Sequence, residues 1–220
     1  IRGYNTDFIT KEVNRLYGVH RIQYASGSVI SDSGNMDFEI TSGLYYILNL
    51  PEVSPALDTT QTDGTFEYAY YDSVSDDGTF IRVTANEIDN IQYDARNETG
   101  GGLQPVPAGK YTNHFIYLVF DTTPIYTIVY DDSYHDTLAD AQAEGTPGTL
   151  PSDLNGASTA LFIGKIITKQ DNSTSFEDIQ IPSTDALVSS APTAHNNLSG
   201  LDGGDGNGYI HLTTTEYTGL

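Results

Sequence analysis

The run Phe115-Ile116-Tyr117-Leu118-Val119-Phe120 is apolar or aromatic throughout, and it restricts the fold more than any other segment. A half-buried strand alternates apolar with polar side chains, whereas a run without alternation sends side chains to two buried faces. It is far shorter than the roughly 20 residues that a membrane-spanning helix needs. The run therefore predicts a strand in the middle of a core. Its expected hairpin partner is Ile125 to Tyr130, across Asp121-Thr122-Thr123-Pro124.

Other strand candidates show alternation or short apolar runs: Met36 to Ile40, Gly43 to Leu50, Thr65 to Tyr71, Thr79 to Thr84, Leu161 to Thr168 and Asp178 to Ile181. The central strand itself is expected over His114 to Asp121. Thr62-Asp63-Gly64 and Asp76-Asp77-Gly78 supply turn chemistry between them. With 16 Tyr, 8 Phe, one Met and no Trp, the aromatic core formers are strand-favouring residues. Eight short strands predict a mainly β chain folded as a sandwich or barrel, and an antiparallel β-sandwich-like body is the expected form. One short helix is expected at about Thr137 to Glu144, where Thr137 caps, Asp140 completes a capping-box-like pair and Gly145 ends the run. So short a helix suits the covering of a sheet edge. A second helix start occurs at Thr213-Thr214-Thr215-Glu216.

The ends differ from the middle. Residues 1–35 mix charged and apolar residues with Gly and Ser, and Ser183 to Ala194 is rich in Ser, Thr, Ala and Pro, as in extended linkers. The expected organisation is an N-terminal extended arm or oligomerisation segment over 1–35, the β-sandwich-like body over 36–181, and a linker with a Gly-rich joint over 182–220. Such polar arms cannot build a core alone; neighbouring copies of the same chain would order them. The chain begins at Ile1 rather than Met, so it reads as part of a longer or processed protein.

Charge removes several function classes. With 30 acidic against 9 basic residues, the net charge is −21, which repels nucleic acid, because phosphate binding depends on clustered Lys and Arg. No apolar run has the length for membrane insertion. There is no cysteine, so neither a disulfide framework nor a thiolate metal site is available.

Between residues 200 and 208 lie five glycines, which suit tight turns and close backbone approach. The flanking pattern is His195-Asn196-x-Leu198-x-x-Leu201, then Gly203-Gly204, a short spacer, and Tyr209-x-His211-Leu212-Thr213. This pattern resembles a motif of tail-fibre and host-adhesion proteins of tailed bacteriophages. A second series, Thr112 to Tyr117, Tyr126 to Tyr130, Tyr134-x-x-Thr137-Leu138-Ala139-Asp140-Ala141 and Leu161 to Ile167, is similar to a module of phage fibre and receptor-binding proteins. Together the two resemblances reach about half the chain, and residues 1–104 carry none. They imply a homotrimeric structural component of a viral tail fibre, spike or similar appendage, located in the virion. Its partners would be other virion proteins and a host surface receptor or glycan, and its role host attachment or the spacing of a receptor-binding tip. The alternative is a carbohydrate-binding or adhesion module of a secreted or cell-surface microbial protein. A glycan-degrading tailspike is disfavoured, because the repeats of a parallel β-helix are missing.

No nucleophile elbow, phosphate loop, HExxH helix or dinucleotide fingerprint occurs, so no catalytic or cofactor-binding residue is expected. Carboxylate pairs such as Glu87 with Asp89 and Asp131 with Asp136 could serve a glycosidase only in a cleft. In a threefold assembly His195 and His211 would approach the axis, where imidazoles bind a transition metal; hydrogen bonding of each ring to turn carbonyls is the plainer reading. Asp202, Asp205 and Asn207 superficially match a calcium loop without EF-hand spacing, and the Asp-rich stretches 72–77 and 131–136 read as solvated turns. The cofactor expected is therefore none, with a transition metal or calcium as alternatives. Tyr45, Tyr46, Tyr68, Tyr70, Tyr71, Tyr111 and Tyr134 could stack on sugar rings, although most strand tyrosines simply fill cores.

Overall fold

The computed structural model describes residues 22–47, 50–71, 80–96, 101–120, 125–154, 160–171 and 174–182. These residues are mainly β, with one short helix. The elements in order are β1 (Ile22–Gly27), β2 (Ile30–Gly34), β3 (Asp37–Ile40), β4 (Gly43–Ile47), β5 (Leu50–Ser54), β6 (Leu57–Asp58), β7 (Phe66–Tyr71), β8 (Phe80–Ala85), β9 (Gln92–Asp94), β10 (Leu103–Pro105), β11 (Tyr111–Val119), β12 (Tyr126–Tyr130), α1 (Leu138–Ala143), β13 (Ala160–Lys169) and β14 (Asp178–Gln180).

A six-stranded sheet in the order β14-β13-β11-β12-β7-β8 forms the largest layer. Smaller sheets are β1-β4-β5, β2-β3-β6 and the pair β9-β10. As its unbroken apolar run predicts, β11 lies inside the large sheet, and from Thr112 to Val119 every residue is buried. It pairs antiparallel with β12, His114 facing Tyr130 and Leu118 facing Tyr126. On its other side it pairs with β13, with a register shift after Ile116. The expectation of a wholly antiparallel body needs one correction: β12 pairs parallel with β7, Ile128 lying beside Tyr68. Parallel neighbours need a crossover rather than a tight turn, and β7 and β12 are far apart in sequence.

The two faces of this sheet bury different partners. Tyr68, Ile116, Leu118, Ile128, Tyr130 and Ile166 share one core with Ile22, Ile30, Phe38, Ile40 and Tyr45 from the two three-stranded sheets. Phe38 and Phe66 meet with ring centroids 5.4 Å apart, and burying side chains of this size contributes roughly 1.5–3 kcal/mol each. Gly164 lies where the layers crowd: a Cβ there would sit 2.7 Å from Ile30 Cδ1 and 2.9 Å from the Gln180 carbonyl oxygen. On the opposite face, Ala69, Phe115, Tyr117, Val119 and Val129 pack with Leu154 and Ala160.

The segment expected as an N-terminal arm over 1–35 is corrected in its described part. Residues 22–34 carry β1 and β2, and Ile22 and Ile30 belong to the main core. Sequence alternation missed these strands because each anchors itself through few apolar residues among Ser, Asp and Gly. Residues 1–21, the segment 72–79 with the Asp76-Asp77-Gly78 turn, the hairpin turn at 121–124 and the residues from 183 onward lie outside the described residues.

The helix forms where its cap predicts. Thr137 Oγ1 accepts from the Asp140 backbone N–H at 3.1 Å and donates to Asp140 Oδ2 at 2.6 Å. It does not cover a sheet edge; it packs on β11 and β13, which are interior strands. Its C-terminus is satisfied by Lys165 of β13, whose Nζ donates to the carbonyls of Ala141, Gln142 and Glu144. Among the described residues, no helix is long and apolar enough to cross a membrane.

Candidate functional site

At the β8 side of the large sheet, the chain after β8 folds back against Tyr68 and Met36 and borders a half-open cleft of about 690 Å³. One wall is the 86–92 segment, one is the β2–β3 turn at Asn35 and Met36, and Tyr68, Tyr70 and Tyr130 line the sheet side. Backbone hydrogen bonds join the walls: Ile88 N–H donates to the Met36 carbonyl at 2.9 Å, and Met36 N–H donates to the Thr174 carbonyl at 3.1 Å. Asn35 and Met36 hold φ of 56° and 62°, the left-handed pair required by a two-residue hairpin between right-twisted strands. Asn tolerates that geometry and Met does so at a cost, but Met36 is buried, so its side chain packs while its carbonyl anchors the wall.

The floor is aromatic and pre-ordered. Tyr68 and Tyr130 stack with centroids 4.3 Å apart and planes 25° apart, and Tyr70 stands edge-on to Tyr130. Below them His114 is fully buried, its Nε2 3.1 Å from Thr168 Oγ1 and its ring edge-on to both stacked tyrosines. Burial pushes the His114 imidazole down to about 3, so it stays neutral. Burial raises the Tyr68 and Tyr130 hydroxyls well above the usual phenol range, and both act as neutral hydrogen-bonding groups.

Asp89 is the joint between wall and floor. Its N–H donates to Tyr68 Oη at 2.8 Å, its Oδ2 accepts from Tyr130 Oη at 3.0 Å, and its Oδ1 accepts from the Ile91 N–H at 2.9 Å. By contrast, the exposed side chains of Asn86 and Glu87 and the hydroxyl of half-buried Tyr70 have no hydrogen-bond partner among the described residues. The structure thus brings the Glu87 and Asp89 pair together with Tyr68 and Tyr70, which the sequence singled out apart from that pair. It adds Asn35, Met36, Asn86 and Ile88, whose residue types give no such signal. Among the described residues no Lys, Arg or His lines the cleft.

The other candidates fall elsewhere. Asp131 and Asp136 do not form a pair: Asp131 is buried and accepts from His135 Nε2 at 2.9 Å and from Asn113 Nδ2 at 2.7 Å, whereas exposed Asp136 pairs with Lys110 at 2.8 Å. Tyr45 is fully buried, its hydroxyl bonded to Ser28 and pushed up to about 12 by burial. Tyr46 and Tyr134 are exposed, Tyr134 against Tyr93 and Tyr46 beside β5. Among the described residues no three His, Asp or Glu side chains are grouped to hold a metal. The motif residues His195, Asn196, Leu198, Leu201, Gly203, Gly204, Tyr209, His211, Leu212 and Thr213, with the Asp202 to Asn207 stretch, lie outside the described residues, as does His20. No protein family, curated protein or solved structure matches the chain.

Proposed function

We propose that this chain is a structural, non-catalytic segment of a viral tail fibre, spike or similar appendage, that it works as a homotrimer and that it serves host attachment. In this reading the six-stranded sheet and the two three-stranded sheets are the layers of a sandwich-like body, which their shared core supports. The observation that carries the reading is the edge strand β5, where Leu50 is 64% and Val53 67% exposed, with Tyr46 exposed on neighbouring β4. Exposed apolar side chains on an edge strand invite contact with another chain, and burial against neighbouring copies would remove that liability. The His195 to Thr213 motif adds independent sequence support. The test is the mass of the 220-residue chain in native buffer: the reading expects three times 23.9 kDa at micromolar concentration, and a stable monomer overturns it.

A second reading is favoured by the cleft. It makes the chain a monomeric carbohydrate-binding or adhesion module of a secreted or cell-surface microbial protein. A monomer that binds glycans would select this reading.

A further inference from the structure

We propose that the cleft beside β8 binds a saccharide that carries no acidic group. The inference specifies what an attachment role would recognise, and so rests on that role, but trimer formation and saccharide binding fail independently.

Size comes first. About 690 Å³ lies within the roughly 300–1,000 Å³ typical of small-molecule sites, enough for a short oligosaccharide segment. Charge comes second. Glu87 and Asp89 face the space without any basic side chain among the described lining residues, so a carboxylate, sulfate or phosphate would meet repulsion there with no ion partner. Hydrogen bonding comes third. A purely apolar ligand would strip water from Asn86, Glu87 and the Tyr70 hydroxyl without replacing its bonds. A ligand rich in hydroxyl donors, with C–H surface to lie against tyrosine, meets both demands.

An organic cation fits less well. Cations are held by cages of several aromatic ring faces, whereas Tyr68 and Tyr130 are buried and stacked on each other, which leaves half-buried Tyr70 as a single surface, enough for the C–H face of a sugar but not for a cage. Asp89 already accepts two hydrogen bonds, which leaves Glu87, an exposed side chain, as the one carboxylate without a partner among the described lining residues.

The strain at the rim points the same way. Met36 occupies a left-handed conformation and fixes the 86–92 wall through its carbonyl, so the cleft is pre-formed rather than induced.

The experiment is titration calorimetry of the 220-residue chain against a panel of neutral oligosaccharides (hexose and N-acetylhexosamine) and acidic ones (uronate and sulfated). The expected result is measurable binding of at least one neutral member and at least about ten-fold weaker binding of its acidic counterparts. Tyr70→Ala and Asn86→Ala should each weaken the neutral ligand several-fold with an unchanged melting temperature for Asn86→Ala. Glu87→Lys should narrow the neutral-over-acidic preference by about ten-fold. The proposal is overturned if no neutral member binds, if acidic members bind as tightly, or if binding survives all three substitutions unchanged. A trimer that fails to bind overturns this inference alone; a monomer that binds overturns the fibre reading alone.

Discussion

Tyr130 and Asp131 are successive residues at the end of β12, and they lead into two polar clusters with opposite fates. The Asp131 cluster is closed around Asp131 Oδ2, although Asn113 Oδ1 and Asp94 Oδ1 are buried without a hydrogen-bond partner among the described residues. Asp131 Oδ2 accepts from Asn113 N–H, Asn113 Nδ2 and His135 Nε2, its carbonyl accepts from Asp94 N–H at 2.8 Å, and all four residues are buried. The Tyr130 cluster is open, with Asp89 committed to the protein and Tyr70, Asn86 and Glu87 uncommitted among the described residues. Carboxylates, amides and rings occur in both, so residue type does not separate structure from recognition. What separates them is whether the groups are buried and bonded to one another or exposed and left to water. A buried, bonded cluster stabilises, and an exposed one keeps the capacity to meet a ligand.

The comparison breaks most visibly at Asp131. Asp131→Ala leaves the Asn113 amide and the His135 ring buried without their acceptor, and a loss of about 3 kcal/mol is expected from chemical denaturation. A loss below about 1 kcal/mol would mean that the cluster is not closed in solution.

A smaller effect comes from protons. The hydrogen bond to Asp131, with the nearby Glu144 charge and against the nearby Lys165 charge, holds the His135 imidazole above its ordinary value. A raised folded-state pKa stabilises fully below the unfolded value of about 6.5, and that contribution disappears as pH rises through the folded value. The wild-type chain should therefore lose stability on going from just below pH 6.5 to higher pH, and His135→Gln should flatten that slope. A slope of equal size in the variant would remove His135 as its source.

Legibility followed the same division. Strands lie in all eight expected stretches, because alternation and apolar runs report burial directly, although the stretch Gly43 to Leu50 holds β4 to Ile47 and then the first residue of antiparallel β5. Thr137 with Asp140 announced the helix start. Strand β11 begins at Tyr111 rather than His114 because Thr112 and Asn113 are buried polar residues, which an apolar pattern cannot mark. Lys165 was equally hidden: a lysine in a strand signals solvent, yet this one is buried and caps α1, and desolvation lowers its pKa. β1, β2 and the edge strand β5 with its Pro51 gave too little apolar periodicity to read. The cleft could be read only in fragments, since it gathers Asn35, Tyr70, Asn86 to Asp89 and Tyr130 through long-range pairings that no local window contains.

The smallest expected effect gives the sharpest test of the comparison. Asn86 directly follows β8, is exposed, and has no hydrogen-bond partner among the described residues. Asn86→Ala should therefore change stability by no more than about 0.5 kcal/mol in the same denaturation experiment that registers Asp131→Ala. Asparagine can also hold a chain reversal through its own backbone, which is the competing explanation for an amide at the end of a strand. That explanation predicts a loss of about 1 kcal/mol or more and leaves the amide no freedom to meet a ligand. A near-zero change at Asn86 beside a large one at Asp131 would establish that the two clusters differ in kind, because the same measurement would then find one amide-carboxylate group structural and the other spare.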